Sequence, residues 1–294
     1  MQPRGMRRWG PVGLAVSTVA AVLALAGCSG SGASEDPAVS PAAQPTGSVL
    51  DDTAALDTAG VARLRPQVVG QAPHDTRAFT EGLELTPDNL TLYEGTGKKG
   101  QSALRAIDPT TGAVRRAVPL AADKFGEGIT ITASRIWQMT WKDGDVYDRN
   151  PTSLAVNRTL RNDREGWGIC FDGTNLITSD GSADLVVRDP KSFAPVRTVP
   201  VRAADKPVDQ INELECTPQG IYANVWQTDH ILRIDPATGR VNAVVDAAGL
   251  LPAAQRRGAD VLNGIAWVHG SDQFLVTGKL WPTTFRVRFV PAGT

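Results

Sequence analysis

Phe125-Gly126-Glu127-Gly128-Ile129 points to the architecture, because four other stretches along the chain are built like it. They are Phe79-Thr80-Glu81-Gly82-Leu83, Gly166-Trp167-Gly168-Ile169, Ile211-Asn212-Glu213-Leu214 and Leu262-Asn263-Gly264-Ile265. Measured from Gly82, the steps to Gly128, Gly168, Glu213 and Gly264 are 46, 40, 45 and 51 residues. Each start leads into a second apolar run that ends in a polar or aromatic cluster: Tyr93-Glu94-Gly95, Thr140-Trp141-Lys142, Ser179-Asp180-Gly181, Trp226-Gln227-Thr228-Asp229 and Thr277-Gly278-Lys279. Short alternating runs such as Leu185-Val186-Val187-Arg188 and Ile231-Leu232-Arg233-Ile234 follow, punctuated by turns such as Asp108-Pro109-Thr110-Thr111-Gly112, Asp189-Pro190-Lys191 and Asp235-Pro236-Ala237-Thr238-Gly239. That is all-β punctuation, and no stretch of the repeat region has an amphipathic helical period.

A period in the forties with four strands per unit is the pattern of propeller blades, which cannot bury both faces alone and must stack in a ring. The expected fold is therefore an all-β, five-bladed β-propeller with four-stranded antiparallel blades. The last unit stops at Phe285-Arg286-Val287-Arg288-Phe289, while residues 61–69 supply a strand that no unit claims. Closure of the ring by that N-terminal strand is expected, since it removes an exposed sheet edge.

The first residues carry Arg4, Arg7 and Arg8, then an apolar run over residues 12–26, then Leu25-Ala26-Gly27-Cys28. That order predicts a secretion signal over residues 1–27, with Cys28 as the acylated cysteine of a bacterial lipobox. The run falls short of the roughly 20 apolar residues of a spanning helix. Residues 29–60, rich in Gly, Ser, Ala, Pro, Asp and Thr, show no apolar period and read as a flexible linker. What remains, residues 61–294, is long enough for one large β domain with a substantial core. The expected product is a secreted monomer, lipid-anchored to the outer face of the bacterial cell membrane. The formal net charge of -1 falls to -4 without the signal's three arginines, so no nucleic-acid partner is expected. Cys170 and Cys216 then remain, each shortly after the start of a unit and in a disulfide-permissive compartment, which makes them a candidate pair.

In a propeller the first strand of each blade lines the axis. The residues heading those strands, Glu81, Glu127, Trp167, Asn212 and Asn263, are expected to ring one mouth, joined there by Trp141, Trp226 and Lys279 from the second strands. Taken singly, each has a plainer reading. Glu127 could bind backbone N–H groups, the tryptophans could pack between blades, the asparagines could make turns, and Lys279 could be solvated. Their convergence at equivalent places in successive units is what describes a pocket. His74, His230 and His269 lack metal-ligand spacing, so no catalytic zinc is expected; a structural Ca²⁺ on the axis stays open. No serine sits in a Gly-x-Ser-x-Gly setting, and Gly95-Thr96-Gly97-Lys98-Lys99-Gly100 lacks phosphate-loop spacing and reads as a hairpin loop.

Pro73-His74-Asp75, Ala78-Phe79-Thr80-Glu81-Gly82, Phe125-Gly126-Glu127-Gly128, Gly166-Trp167-Gly168, Asn212-Glu213-Leu214-Glu215, Asn224-Val225-Trp226-Gln227 and Thr277-Gly278-Lys279-Leu280-Trp281-Pro282 together resemble the plant and bacterial, papaya-type glutaminyl-peptide cyclotransferases. The resemblance runs in order through nearly all of residues 66–290. It implies an enzyme that converts the N-terminal Gln of peptides or proteins to pyroglutamate and releases ammonia, with no required cofactor. By motif it implies Glu127 as the acid/base, with Asn212 and Lys279 in the same pocket beside Phe79, Phe125, Trp141, Trp167 and Trp226. Two departures stand out. Glu81 occupies a place where the family commonly has Gln, and Lys98-Lys99 replace the family's Leu-Tyr. The competing expectations are a non-catalytic propeller that binds peptides or cell-wall fragments at the same mouth, and a lyase of cyclic peptide antibiotics, which this His-poor chain suits less well.

Overall fold

The computed structural model describes residues 49–293; the signal-like segment, Cys28 and residues 29–48 lie outside the described residues. Among the described residues, no helix is long and apolar enough to cross a membrane. A short helix α1 (Thr53–Thr58) precedes the long strand β1 (Ala62–Pro73). Three four-stranded antiparallel sheets follow in chain order: β2 (Thr80–Leu85) to β5 (Val114–Pro119) through β3 (Leu92–Thr96) and β4 (Ala103–Ile107); β6 (Gly126–Thr132), β7 (Arg135–Thr140), β8 (Asp145–Arg149) and β9 (Val156–Arg161); and β10 (Ile169–Phe171), β11 (Leu176–Thr178), β12 (Asp184–Arg188) and β13 (Pro195–Pro200). A small ribbon, β14 (Arg202–Ala203) with β15 (Lys206–Pro207), leads to two more meanders, β16 (Ile211–Thr217), β17 (Gly220–Val225), β18 (His230–Ile234), β19 (Val241–Asp246) and then β20 (Leu262–Trp267), β21 (Gln273–Gly278), β22 (Thr283–Pro291).

Those last two meanders form one eight-stranded sheet because β1 lies between them. It pairs antiparallel with β22 from Leu64–Pro291 to Pro73–Thr283, and its first residues run parallel to β19 from Ala62–Ala243 to Leu64–Val245. The N-terminal strand thus covers two sheet edges that would otherwise expose unpaired backbone. The first strands of the meanders meet at the centre: β2, β6, β10, β16 and β20 touch in that cyclic order, and β20 returns to β2.

The turns between third and fourth strands show why the sequence folds this way. Asp108, Asn150, Asp189 and Asp235, each followed by Pro, accept two backbone N–H groups from two and three residues ahead, at 2.8–3.0 Å. These side chains mimic a backbone turn. Four residues after each, the chain takes a positive φ at Gly112, Leu154, Phe193 and Gly239. Leu154 and Phe193 are buried there. Burial of a large apolar side chain, about 1.5–3 kcal/mol, offsets a left-handed cost of about 1–2 kcal/mol.

The expected linker gives way to structure before residue 60. Asp52 caps α1 by accepting the Ala55 N–H at 3.0 Å, and Val49, Leu50, Leu56 and Val61 pack into the apolar cluster shared by the third and fourth meanders. Four apolar side chains within thirteen residues, spaced for neither a strand nor a long helix, escape a periodicity test while still covering a core.

Candidate active site

Four of the central strands carry one residue too many near their start. Register passes from Thr80–Thr96 to Gly82–Gly95 in β2, from Gly126–Thr140 to Ile129–Gln138 in β6, from Ile211–Val225 to Leu214–Ala223 in β16, and from Leu262–Gly278 to Ile265–Val276 in β20. Such a bulge bends the strand and re-aims a side chain, and the four bulges hold Glu81, Glu127, Asn212 and Asn263. The adjacent glycines let the backbones crowd. A Cβ on Gly82 would meet Ile129 N at 2.5 Å, one on Gly128 would meet Trp167 O at 2.6 Å, and one on Gly168 would collide with the Asn212 carbonyl.

Glu81, Asn263 and Lys279 are buried, at 1%, 0% and 6% exposure, and they form one cluster. The Lys279 ammonium donates to Glu81 Oε1 at 2.8 Å and lies 2.7 Å from Oε2. Asn263 Nδ2 donates to the Thr80 carbonyl at 2.9 Å and to Glu81 Oε2 at 3.3 Å. The buried Glu127 carboxyl hydrogen-bonds Glu81. Burial raises Glu127 well above the ordinary carboxylate range, the Glu81 charge raises it further, and Lys279 offsets only part of this. Burial also raises Glu81, against the pull of Lys279. Because Lys279 binds Glu81 directly, Glu81 carries the negative charge and Glu127 keeps the proton.

The aromatic side chains wall this cluster in a chain of contacts. Phe79 meets Phe125 edge-on at 6.1 Å, Phe125 meets Trp141 at 5.6 Å, and Trp167 meets Trp226 edge-on at 5.6 Å. Lys279 Nζ sits 4.6 Å from the centre of the Phe79 ring, which ties wall to cluster. Asn212 joins through its close approach to Gly168, and its Oδ1 is buried without a hydrogen-bond partner among the described residues, as is that of Asn263. The structure therefore brings Glu81, Glu127, Lys279, Asn263 and Phe79 into direct contact and continues from Phe79 to Phe125 and Trp141, whereas Trp167 pairs with Trp226 and Asn212 approaches Gly168 through its backbone carbonyl. Lys279 is paired rather than solvated, and Asn212 and Asn263 sit in strands rather than turns.

Sequence reasoning missed Glu165. Its Oε2 accepts the indole N–H of Trp141 at 2.9 Å and of Trp167 at 3.3 Å, and Lys142 lies 3.6 Å from its other oxygen. One carboxylate thus fixes two walls of the pocket. The available signal was a glutamate immediately before Gly166-Trp167, one place outside the repeating motif.

Three more carboxyls, also unforeseen, occupy the central strands farther along. Glu213 accepts the N–H groups of Leu83 and Ile265 at 3.3 and 2.9 Å, Glu215 that of Trp267 at 3.0 Å, and Glu84 that of Ile131 at 2.8 Å. Binding neighbouring backbone, the plain alternative for Glu127, is what these three do. Burial raises all three, Glu84 to about 8. Glu84 keeps some accessible surface, but it faces the other central strands rather than bulk water, so burial still dominates. Among the described residues no group of three or more His, Cys, Asp or Glu side chains is placed to hold a metal ion. Cys170 on β10 and Cys216 on β16 form a disulfide, with Cα atoms 5.3 Å apart.

Comparison with known proteins adds an independent line. A family model described as glutamine cyclotransferase matches residues 42–289. A glutaminyl-peptide cyclotransferase of Arabidopsis thaliana is 38% identical over 232 residues, covering 77% of this chain and 72% of that protein. The crystal structure of Myxococcus xanthus glutaminyl cyclase superposes with a TM-score of 0.73 at 36% identity, over 79% of this chain and all of that one.

Proposed function

The chain belongs to the glutamine cyclotransferase family, and from that premise we propose that it converts the N-terminal Gln of peptides to pyroglutamate, with Glu127 moving the proton. The observation that carries this reading is the buried Glu127–Glu81–Lys279 cluster, in which one carboxyl holds a proton beside another that holds a charge. Burial and the Glu81 charge raise Glu127, which narrows its gap to an α-ammonium, whose ordinary pKa is about 8, and so lowers the cost of passing a proton between them. The reaction starts from the form in which Glu127 has released its own proton: the carboxylate takes one from the ammonium, and the freed amine attacks the side-chain carbonyl carbon of the same Gln. The new C–N bond closes the five-membered ring. Glu127 then protonates the departing nitrogen and recovers a proton from the ring nitrogen, so that ammonia leaves and the C–N bond of the carboxamide breaks.

Because the reaction is intramolecular, the pocket's main task is to fold the Gln side chain back onto its amine. The aromatic rings of Phe79, Phe125, Trp141, Trp167 and Trp226 are the walls against which that folding would take place. The unpaired Oδ1 of Asn212 suits the N–H donors of the amine or carboxamide. Lys279 is the cation available to the developing oxyanion. The ring of central strands supports a five-bladed propeller as the scaffold. We also assign residues 1–27 as a cleaved signal and Cys28 as a lipid anchor to the outer face of a bacterial membrane, a reading supported by Arg4, Arg7, Arg8 and Leu25-Ala26-Gly27-Cys28; loss of membrane association in Cys28→Ala tests it.

Glu127→Gln tests the central assignment. General acid–base catalysis contributes about 10²–10⁴-fold, so ammonia release from a Gln-initiated peptide should fall at least about a hundredfold. Turnover within about threefold of the parent would place the proton carrier elsewhere.

A further inference from the structure

The outer ends of the aromatic walls each carry a lysine. Lys98 Nζ lies 4.6 Å from the centre of the Phe79 ring, and Phe79 also touches Lys279 of the cluster. Lys142 Nζ lies 4.3 Å from the Trp141 ring. Since Phe79, Phe125 and Trp141 touch in series, the two ammonium groups stand at opposite ends of one aromatic arc at the mouth.

Lys98 is held there by its backbone. It takes a φ of +76°, a left-handed conformation unusual for a lysine. Its carbonyl accepts N–H groups from Gln101 and Ser102 and the Ser102 hydroxyl, at 3.0, 2.8 and 2.8 Å. Gly97 donates to the Phe79 carbonyl at 2.8 Å, and Ser102 Oγ accepts from Gly126 N at 2.9 Å, one residue before Glu127. The turn is therefore fastened to both strands that supply the reacting carboxyls. Among the described residues Lys98 has no carboxylate within ion-pair distance, and Lys142 has only Glu165 at 3.6 Å, whose other oxygen is engaged by two indoles.

We propose, building on the cyclase reading above, that Lys98 and Lys142 select Gln-initiated peptides bearing carboxylates in the residues directly after the Gln. With the Gln folded inside the pocket, the chain that follows it must leave over this arc. There a side-chain carboxylate meets an ammonium that lacks a full counter-charge, on a partly desolvated aromatic surface. A basic residue in the same place meets repulsion.

The experiment compares amidated peptides in which Gln is followed by two Asp, two Ala or two Lys, using the parent chain and the Lys98→Met/Lys142→Met variant. Ammonia release gives kcat/KM, and intrinsic tryptophan fluorescence, to which Trp141 contributes along with the other tryptophans, gives binding independently of turnover. Exposed ion pairs contribute up to about fivefold each, so the parent should prefer the Asp peptide over the Ala peptide by about three- to tenfold at low salt. About 0.5 M salt should shrink that ratio toward unity through screening, as should the double substitution. Equal use of the Asp and Ala peptides by the parent would overturn the proposal, and so would a preference that survives both salt and substitution. If no peptide releases ammonia but fluorescence still ranks Asp above Ala above Lys, the selectivity stands and the catalytic reading falls.

Discussion

Glu81 governs how tightly Glu127 holds its proton. The burial of Glu127 is fixed by its strand, but the second contribution, the neighbouring negative charge, belongs to one side chain. Replacing it with the isosteric amide in Glu81→Gln removes that charge and leaves the Lys279 ammonium facing Glu127 without its counter-ion. Both changes stabilise the ionised form of Glu127, so its pKa drops. The acidic limb of the kcat/KM profile should move to lower pH, read from ammonia release across about pH 5–9; a limb that stays put or moves upward contradicts the coupling. At this scale the sequence was informative where residues recur. Glu81, Glu127, Trp167, Asn212 and Asn263 sit at matching places in successive units, with Lys279 at the end of a second strand, and repetition exposed them. Glu165 was not legible, because its role depends on two indole N–H groups arriving from separate sheets, and no spacing rule connects residues 141, 165 and 167.

Strands and turns were read more completely than the irregularities within them. Alternation and Asp-Pro turns indicate where β4, β12 and β18 begin and end, but the extra residue in β2, β6, β16 and β20 is visible only once the partner strand is known. The glycines beside the bulges of β2, β6 and β20 hinted at close approach without saying which side chain would be turned inward, and the bulge of β16 has no such marker. The Cys170–Cys216 bridge ties β10 to β16, two central strands that share no ladder hydrogen bonds. It closes a loop of 46 residues, for which chain-entropy arguments give about 3–4 kcal/mol. The Cys170→Ala/Cys216→Ala protein should therefore lose about 3 kcal/mol in urea unfolding. Loss below about 0.5 kcal/mol would mean that the third and fourth meanders are held by apolar packing alone.

Across the whole molecule, the interior stores protons. Glu84, Glu213 and Glu215 are raised by burial, Glu84 to about 8, whereas in the unfolded chain a glutamate titrates near about 4.3. Between those values the folded state binds protons that the unfolded state has released, so this contribution is complete below about pH 4 and declines as the pH climbs toward 8. The urea midpoint should fall from pH 5 to pH 8, and Glu84→Gln should flatten that fall; an unchanged slope in the variant would show that Glu84 does not titrate as described. Buried Glu94 works in the opposite sense. Burial would raise it, but His74 and Arg105 hold it below the usual range, so its contribution is lost on acidification, and only the difference between parent and variant isolates Glu84. Strand β1 has a consequence for biogenesis. Among the described strands it is the earliest to emerge from the ribosome, yet its partners β19 and β22 are among the last. The ring of sheets cannot lock until synthesis is nearly finished, which leaves prematurely terminated chains with open edges for quality-control proteases to recognise.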